Sequence, residues 1–348
     1  MPEVNPMAPS TADIPAVSKK TLLIAGLDVD VYGLSELSAA ASAITCLWLH
    51  HPRGRRKEDM GYIANEMVSA FNASSPTTST RGLIVVAFDQ RNHGTRLRSE
   101  IRNDSWKKGN STHAQDMFAT VSGTVMDTIH LLDLLQAHLF SGPEHKGEQR
   151  HIDSNLVLGV SLGGHCAWQL LFSEPRITAG VVVVGCPDYM NMMQDRARRS
   201  KLETVTAADN GFSFFGSHDF PKSLIAACEK FDPKAILFGT REIPTELSSS
   251  DEERLRTVLD SKIRGKRFQV LSGGADRLVP YDAGRQFMDF FQKATDGWYK
   301  DGNVYMENNI YPEVGHTFSE EMRRDAVRFV LDSVNSLDAA KMVSSPKI

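Results

Sequence analysis

The chain has 348 residues, of which 41% are hydrophobic and 24% charged, and a formal net charge of -4. That length can bury a substantial core, and so mild a negative balance offers neither nucleic acid nor an anionic membrane an electrostatic footprint. Cys46, Cys166, Cys186 and Cys228 are scattered with no C-x-x-C spacing. They read as buried thiols rather than a disulfide frame or a zinc site.

Residues 1–19 are rich in Pro, Ser and Ala and read as a disordered tail. They lack the basic and apolar regions of a secretory signal, and no apolar run reaches the roughly 18 residues of a membrane helix, so the expected compartment is the cytoplasm. Thr21 to Gly33 mixes an apolar run with alternation, as a strand or an opening hairpin does. Ile44 to His50 is a buried strand that breaks at His51-Pro52-Arg53-Gly54. Gly61 to Phe71 has helical spacing, Gly82 to Phe88 is a fully apolar strand ending at Asp89, and Gln90 to Asn110 is a charged loop. His113 to Phe140 is a long amphipathic helix.

Asn155 to Val160 is another apolar run, and it stops at Gly159-Val160-Ser161-Leu162-Gly163-Gly164 before a helical stretch through Leu171. A strand, a tight turn and a helix with serine at the apex form a nucleophile elbow. An apex residue in a strained conformation brings the flanking backbone too close for side chains, which explains Gly159 and Gly163. The following helix aims free N–H groups and its positive end at the turn, where an oxyanion would form.

Gly180 to Gly185 is a further strand, after which the strand–helix rhythm fails from Pro187 to about Ile243. That stretch holds a Met- and Arg-rich patch (Tyr189 to Met193, Arg196, Arg198, Arg199), then Phe212, Phe214, Phe215 and Phe220. It reads as a cap, residues 188–243, inserted into a core formed by 20–187 and 244–337. Its methionines and aromatics suit either the core of a small helical subdomain or an adaptable wall over an acyl pocket, with Met190, Met193, Phe214 and Phe215 as candidates. A helix over Ser250 to Ile263, a strand over Arg267 to Leu271, a helix bearing Phe287, Phe290 and Phe291, a strand from Asn303 to Tyr311 and a helix from Glu320 to Leu337 complete the domain. Residues 338–348 read as a second tail. Strands separated by helices imply an α/β fold, a mostly parallel sheet covered on both faces.

Functional groups in such sheets gather at the carboxyl ends of strands. Asp276 and His316 each follow a late strand, as Ser161 follows an earlier one, and the chain order Ser, Asp, His suits this architecture. Ser161 needs its proton removed during attack, an imidazole can take that proton and return it, and Asp276 can hold the imidazole in one tautomer. Gly273, Gly274 and Gly315 give the backbone room to bring the three together. Asp282 is a rival for Asp276 but falls where a helix cap is expected. His50, His51, His93 and His165 lie near strand or helix ends but not after the last strand. No histidine spacing with a neighbouring carboxylate suggests a metal site.

These motifs together resemble the α/β-hydrolases: His50-His51-Pro52-Arg53-Gly54, Asp89-Gln90-Arg91-Asn92-His93-Gly94, Gly159-Val160-Ser161-Leu162-Gly163-Gly164, Asp276 with Val279-Pro280, and Gly315-His316. They span residues 20–337, nearly the whole chain. The resemblance implies an oxyanion hole made by the N–H of Leu162 and one from the loop after the third strand. Pro52 has no N–H to give, so Arg53 is the expected donor, with Gly54 second. The Asp89 turn is expected to be structural, although Asn92 stands where the family often has glycine. The implied activity is a serine hydrolase cleaving a carboxylic ester, or a thioester, lactone or amide, through an acyl-enzyme without a cofactor. An acyltransferase or an inactive binding protein on the same scaffold are the alternatives. Serine rather than aspartate at the elbow argues against epoxide or haloalkane hydrolysis. The expected partner is a small acyl substrate, and oligomeric state is left open.

Overall fold

Strands that are apolar at every position have no face for water and must be covered on both sides. In the computed structural model, which describes residues 5–7, 14–75, 79–142, 150–205 and 212–344 (side chains over 213–337 in the last), such strands fill the centre of an eight-stranded sheet. The strands are β1 (Lys19–Ile24), β2 (Leu27–Tyr32), β3 (Ala43–His50), β4 (Arg81–Phe88), β5 (His151–Val160), β6 (Ile177–Val183), β7 (Arg267–Gly273) and β8 (Tyr305–Tyr311). Their order is β1-β2-β4-β3-β5-β6-β7-β8. β1–β2 and β2–β4 pair antiparallel and every other pair is parallel. The Thr21 to Gly33 stretch is thus a hairpin, turned at Ala25 (φ 52°) and Gly26 (φ 80°), the left-handed pair that matches strand twist.

Side-chain alternation along each central strand divides the core. Ile44, Cys46 and Trp48 of β3, with Ile84, Val86 and Phe88 of β4, face one way. There they meet α2 (His113–Phe140), α3 (Leu162–Ser173) and α8 (Arg285–Asp296). Leu47, Leu49, Leu83 and Val85 face the other way, onto α1 (Gly61–Ser74) and α9 (Glu320–Ser344). This is the mostly parallel, helix-flanked sheet of the α/β-hydrolase fold. β3 lies between β4 and β5, so the chain leaves it to one side and returns across it to the other. Such a switch opens a crevice at the carboxyl ends of the two strands that part.

Between β6 and β7 the chain forms α4 (Tyr189–Ser200), α5 (Lys222–Phe231), α6 (Pro233–Phe238) and α7 (Ser249–Lys262). Tyr189 Oη donates to the Ala114 carbonyl of α2 at 2.7 Å, and Asp232 accepts from the N–H groups of Tyr189 (2.9 Å) and Ala235 (3.1 Å). The Gln90 to Asn110 loop contains short 3-10 turns. α9 continues to Ser344, beyond the expected end at Leu337, and the last residues of the expected tail, 345–348, lie outside the described residues. So do 1–4 and 8–13 of the N-terminal one. Residues 5–7, expected in that tail, instead lie on the domain: Phe318 N–H donates to the Pro6 carbonyl at 2.7 Å and Met7 is buried. No helix among the described residues is long and apolar enough to cross a membrane. All four cysteines are buried and free.

The elbow helix is anchored by an aromatic cluster: Trp168 and Phe172 of α3 pack with Phe268 of β7 and Phe287 and Phe291 of α8. Trp168 is fully buried. Trp168→Ala is expected to remove about 3–5 kcal/mol of stability, read as a lower urea midpoint at unchanged slope. A loss below about 1 kcal/mol would mean that the cluster does not hold this helix.

Candidate active site

β5 ends at Val160 and α3 begins at Leu162, leaving one residue for the turn. Ser161 takes φ 56° and ψ -110°, a left-handed conformation that an L-residue keeps only when its surroundings impose it. They do. Ser161 N–H donates to the Val183 carbonyl at 2.9 Å and its carbonyl accepts from His165 N–H at 3.1 Å. A Cβ on Gly159 would lie 1.9 Å from the Gly163 carbonyl oxygen, and one on Gly163 would lie 2.0 Å from that of His50. The second contact presses the loop after β3 against the start of α3.

The loops after β7 and β8 interlock, with Gly274 N–H donating to the Tyr311 carbonyl (2.8 Å) and Ala275 N–H to that of Val314 (3.0 Å). A Cβ on Gly273 would meet the carbonyl oxygens of Val314 and Gly315 at 2.4 Å. Gly315 differs from expectation, because a Cβ there would meet nothing within 4 Å. The interlock carries Asp276 and His316 to Ser161. His316 Nδ1 lies 2.7 Å from Asp276 Oδ2, and Nε2 lies 2.8 Å from Ser161 Oγ. A carboxylate only accepts, so the ring proton sits on Nδ1 and Nε2 is the acceptor for the serine hydroxyl. Asp276 Oδ1 accepts from Leu278 N–H (2.8 Å) and Val279 N–H (2.9 Å), which fixes the carboxylate. All three side chains are buried, Ser161 and His316 to 7% exposure. The arrangement can pull a proton from Ser161 Oγ and hold it on a carboxylate-braced ring. Asp282, the rival, pairs with Arg285 in solvent and caps no helix.

Two buried histidines shape the loop after β3. His51 Nε2 accepts from Gln90 N–H at 3.0 Å, so its proton is on Nδ1, which donates to the Pro52 carbonyl at 2.8 Å. Burial, reinforced by His93, lowers its pKa to about 4, and burial with His51 as neighbour lowers that of His50 to about 3. Both are neutral struts. The Asp89 turn lies beside them: Asp89 accepts from the N–H groups of Lys57 (2.9 Å) and Thr95 (2.8 Å). Asn92 adopts φ 59° and its Oδ1 accepts from Arg98 and Ser99 N–H, so the asparagine fills a left-handed position by bracing its own loop.

Ser161, His316 and Leu162 line a cleft with Pro52 and Arg53 of the β3 loop. The N–H of Leu162 heads α3, where the first turn has no helical acceptors. The cleft encloses about 20 Å³, room for about one water. The four residues expected to line an acyl pocket are not among its walls. Met190, Met193 and Phe214 are buried in the core, and Phe215 packs against Phe214 and Phe220. On α4 the apolar positions turn inward, as helical periodicity demands, and a different residue of the same helix, Arg196, reaches the cleft. Met117 of α2, His165 of α3, Leu278 and Pro6 supply the rest. In the sequence Arg196 stands out only within the Met- and Arg-rich patch, and His165 only as a rival histidine. Among the described residues, no cluster of three or more His, Cys, Asp or Glu side chains could hold a metal ion.

Gly163→Ala is expected to keep the serine while displacing the elbow from the β3 loop, lowering turnover or Ser161 acylation by about 100-fold or more. Unchanged acylation of this variant would mean that the close approach to His50 is dispensable.

No family model and no curated protein matches the sequence. Among solved structures the chain is similar to an esterase of Pyrococcus furiosus at 14% identity and a TM-score of 0.47, over 92% of this chain and 91% of that one. It is similar to an IroE-like serine hydrolase of Shewanella oneidensis at 14% identity and a TM-score of 0.48, over 91% and 80% of the two chains. It is also similar to the acylaminoacyl peptidase of Pyrococcus horikoshii at 12% identity and a TM-score of 0.48, over 92% of this chain and 41% of that longer one.

Proposed function

We propose that this chain is a serine hydrolase that cleaves a carboxylic ester through an acyl-enzyme. The observation that carries the reading is the continuous chain from Ser161 Oγ through His316 to Asp276, at 2.8 and 2.7 Å, with the serine at the apex of a strained turn. In the first half-reaction Oγ bonds to the carbonyl carbon while its proton passes to His316 Nε2. The carbonyl oxygen takes the negative charge and the N–H groups of Leu162 and Arg53 receive it. Collapse breaks the bond to the leaving oxygen, which departs as an alcohol with the proton from Nε2. Water then gives a proton to Nε2 and its oxygen to the acyl carbon, and the acid leaves as Oγ recovers the proton. Asp276 stabilises the imidazolium in both halves.

The same sequence of steps serves a thioester, a lactone or a small amide, the amide having the poorest leaving group of these. Labelling with a fluorophosphonate followed by peptide mapping tests the nucleophile: an adduct on Ser161 that vanishes in Ser161→Ala is expected, and no adduct on folded protein would overturn the reading. Asp276→Asn is expected to lower kcat by about 10³–10⁴-fold, because the ring loses the partner that fixes its tautomer. A loss below about tenfold would remove Asp276 from the site.

A further inference from the structure

The cleft holds a positive charge that hydrolysis of a neutral ester leaves unused. Arg196 comes down from α4 beside Ser161, and its guanidinium is held by neutral groups alone: Nη1 lies 3.1 Å from Met117 Sδ and 3.5 Å from His113 Nε2, and Nη2 donates to the Leu278 carbonyl at 3.2 Å. His113 is neutral, its pKa held far down by burial. Arg196 Nε is buried and has no hydrogen-bond partner among the described residues, and the side chain makes no ion pair there. The charged groups acting on it most strongly include Arg53, which lines the same cleft, and Arg199. Arg199 is already paired with Asp195.

Two buried cations elsewhere have a carboxylate in contact, Lys57 with Asp30 at 2.7 Å and Arg81 with Asp153 at 2.7 Å, while buried Lys234 and Lys266 are held by backbone carbonyls. The half-buried Arg196 beside Ser161 has no carboxylate partner among the described residues. His165 stands in the same wall: its Nδ1 lies 3.1 Å from Cys186 N and 3.2 Å from the Cys186 carbonyl oxygen, and its Nε2 is buried without a partner among the described residues. His165 is 3% exposed. Arg196 thus brings to the wall of the cleft a guanidinium that has no carboxylate partner among the described residues. Its planar fork of donors matches the two oxygens of a carboxylate.

We propose that the substrate of this site carries a free carboxylate next to the scissile ester, and that Arg196 receives it. The proposal rests on the hydrolase reading and names its substrate class, a half-ester of a dicarboxylic acid or an ester of a hydroxy acid. The carboxylate supplies the counter-charge that the protein withholds. A neutral ester would leave the guanidinium without a counter-charge, a cost that falls on binding and on the transition state alike.

The test compares kcat/KM for two matched pairs, with the Ser161→Ala rate subtracted as background. One pair places the charge on the acyl side, 4-nitrophenyl hydrogen glutarate against 4-nitrophenyl valerate. The other places it on the leaving group, 3-acetoxybenzoate against its methyl ester. The acid is expected to be favoured about tenfold or more in at least one pair. Arg196→Met should bring that ratio near one, Arg196→Lys should retain part of it, and added salt should reduce it. Wild-type protein that prefers the neutral partner, or neither, in both pairs overturns the proposal without any variant, as does a preference that survives Arg196→Met. Where fluorophosphonate labels Ser161 but the acids gain nothing, the substrate class falls and the hydrolase stands. With neither labelling nor turnover of any of the four esters, both fall.

Discussion

The close approach of three pieces of backbone around Ser161 governs everything else in this molecule. β5 must end, turn and enter α3 through a single residue, and that residue sits at φ 56°. The turn survives because Gly159 and Gly163 present no Cβ where carbonyl oxygens lie about 2 Å from where one would sit. The elbow is therefore a joint between β5, α3 and the β3 loop rather than a local property of the motif. The Gly163 contact with His50 ties the turn to the end of β3 and the loop that carries Pro52 and Arg53. The strain at Ser161 is sustained by α3 being clamped into the core through Trp168 and Phe172.

The second constraint is polar. Several histidines and an aspartate crowd the carboxyl edge of the sheet, and burial makes the ionised imidazoles costly. His50, His51 and His165 have their pKa values lowered by burial to about 3, 4 and 3, so near neutral pH each is a neutral ring. His51 uses its two nitrogens to join Gln90 to Pro52, and so connects the Asp89 turn to the β3 loop. Asp89 then ties that turn back to Lys57 and Thr95. Of these rings at the site edge, His316 is the one that meets both a carboxylate and the serine hydroxyl.

The sequence by itself determined the central strands and the turn at Ser161, because both are short-range facts. Apolar runs such as Ile44 to His50 and Gly82 to Phe88 admit no exposed face, and the Gly-x-Ser-x-Gly turn between a strand and a helix allows few conformations. Chain order after late strands was enough to single out Asp276 and His316, since a parallel sheet brings strand ends to one edge whatever the loop lengths. The walls of the cleft were a different matter. Met190, Met193, Phe214 and Phe215 have the composition of an acyl pocket, but on α4 and the segment after it their direction is set by which face meets the core. Composition is blind to that direction. Arg196 shares a helix with Met190 and Met193 and points the other way, to the serine, and Pro6 reaches the same cleft from the far end of the chain. Only the tertiary structure decided which residues surround Ser161, because those contacts depend on the packing of elements remote in sequence, whose relative orientation no local pattern encodes.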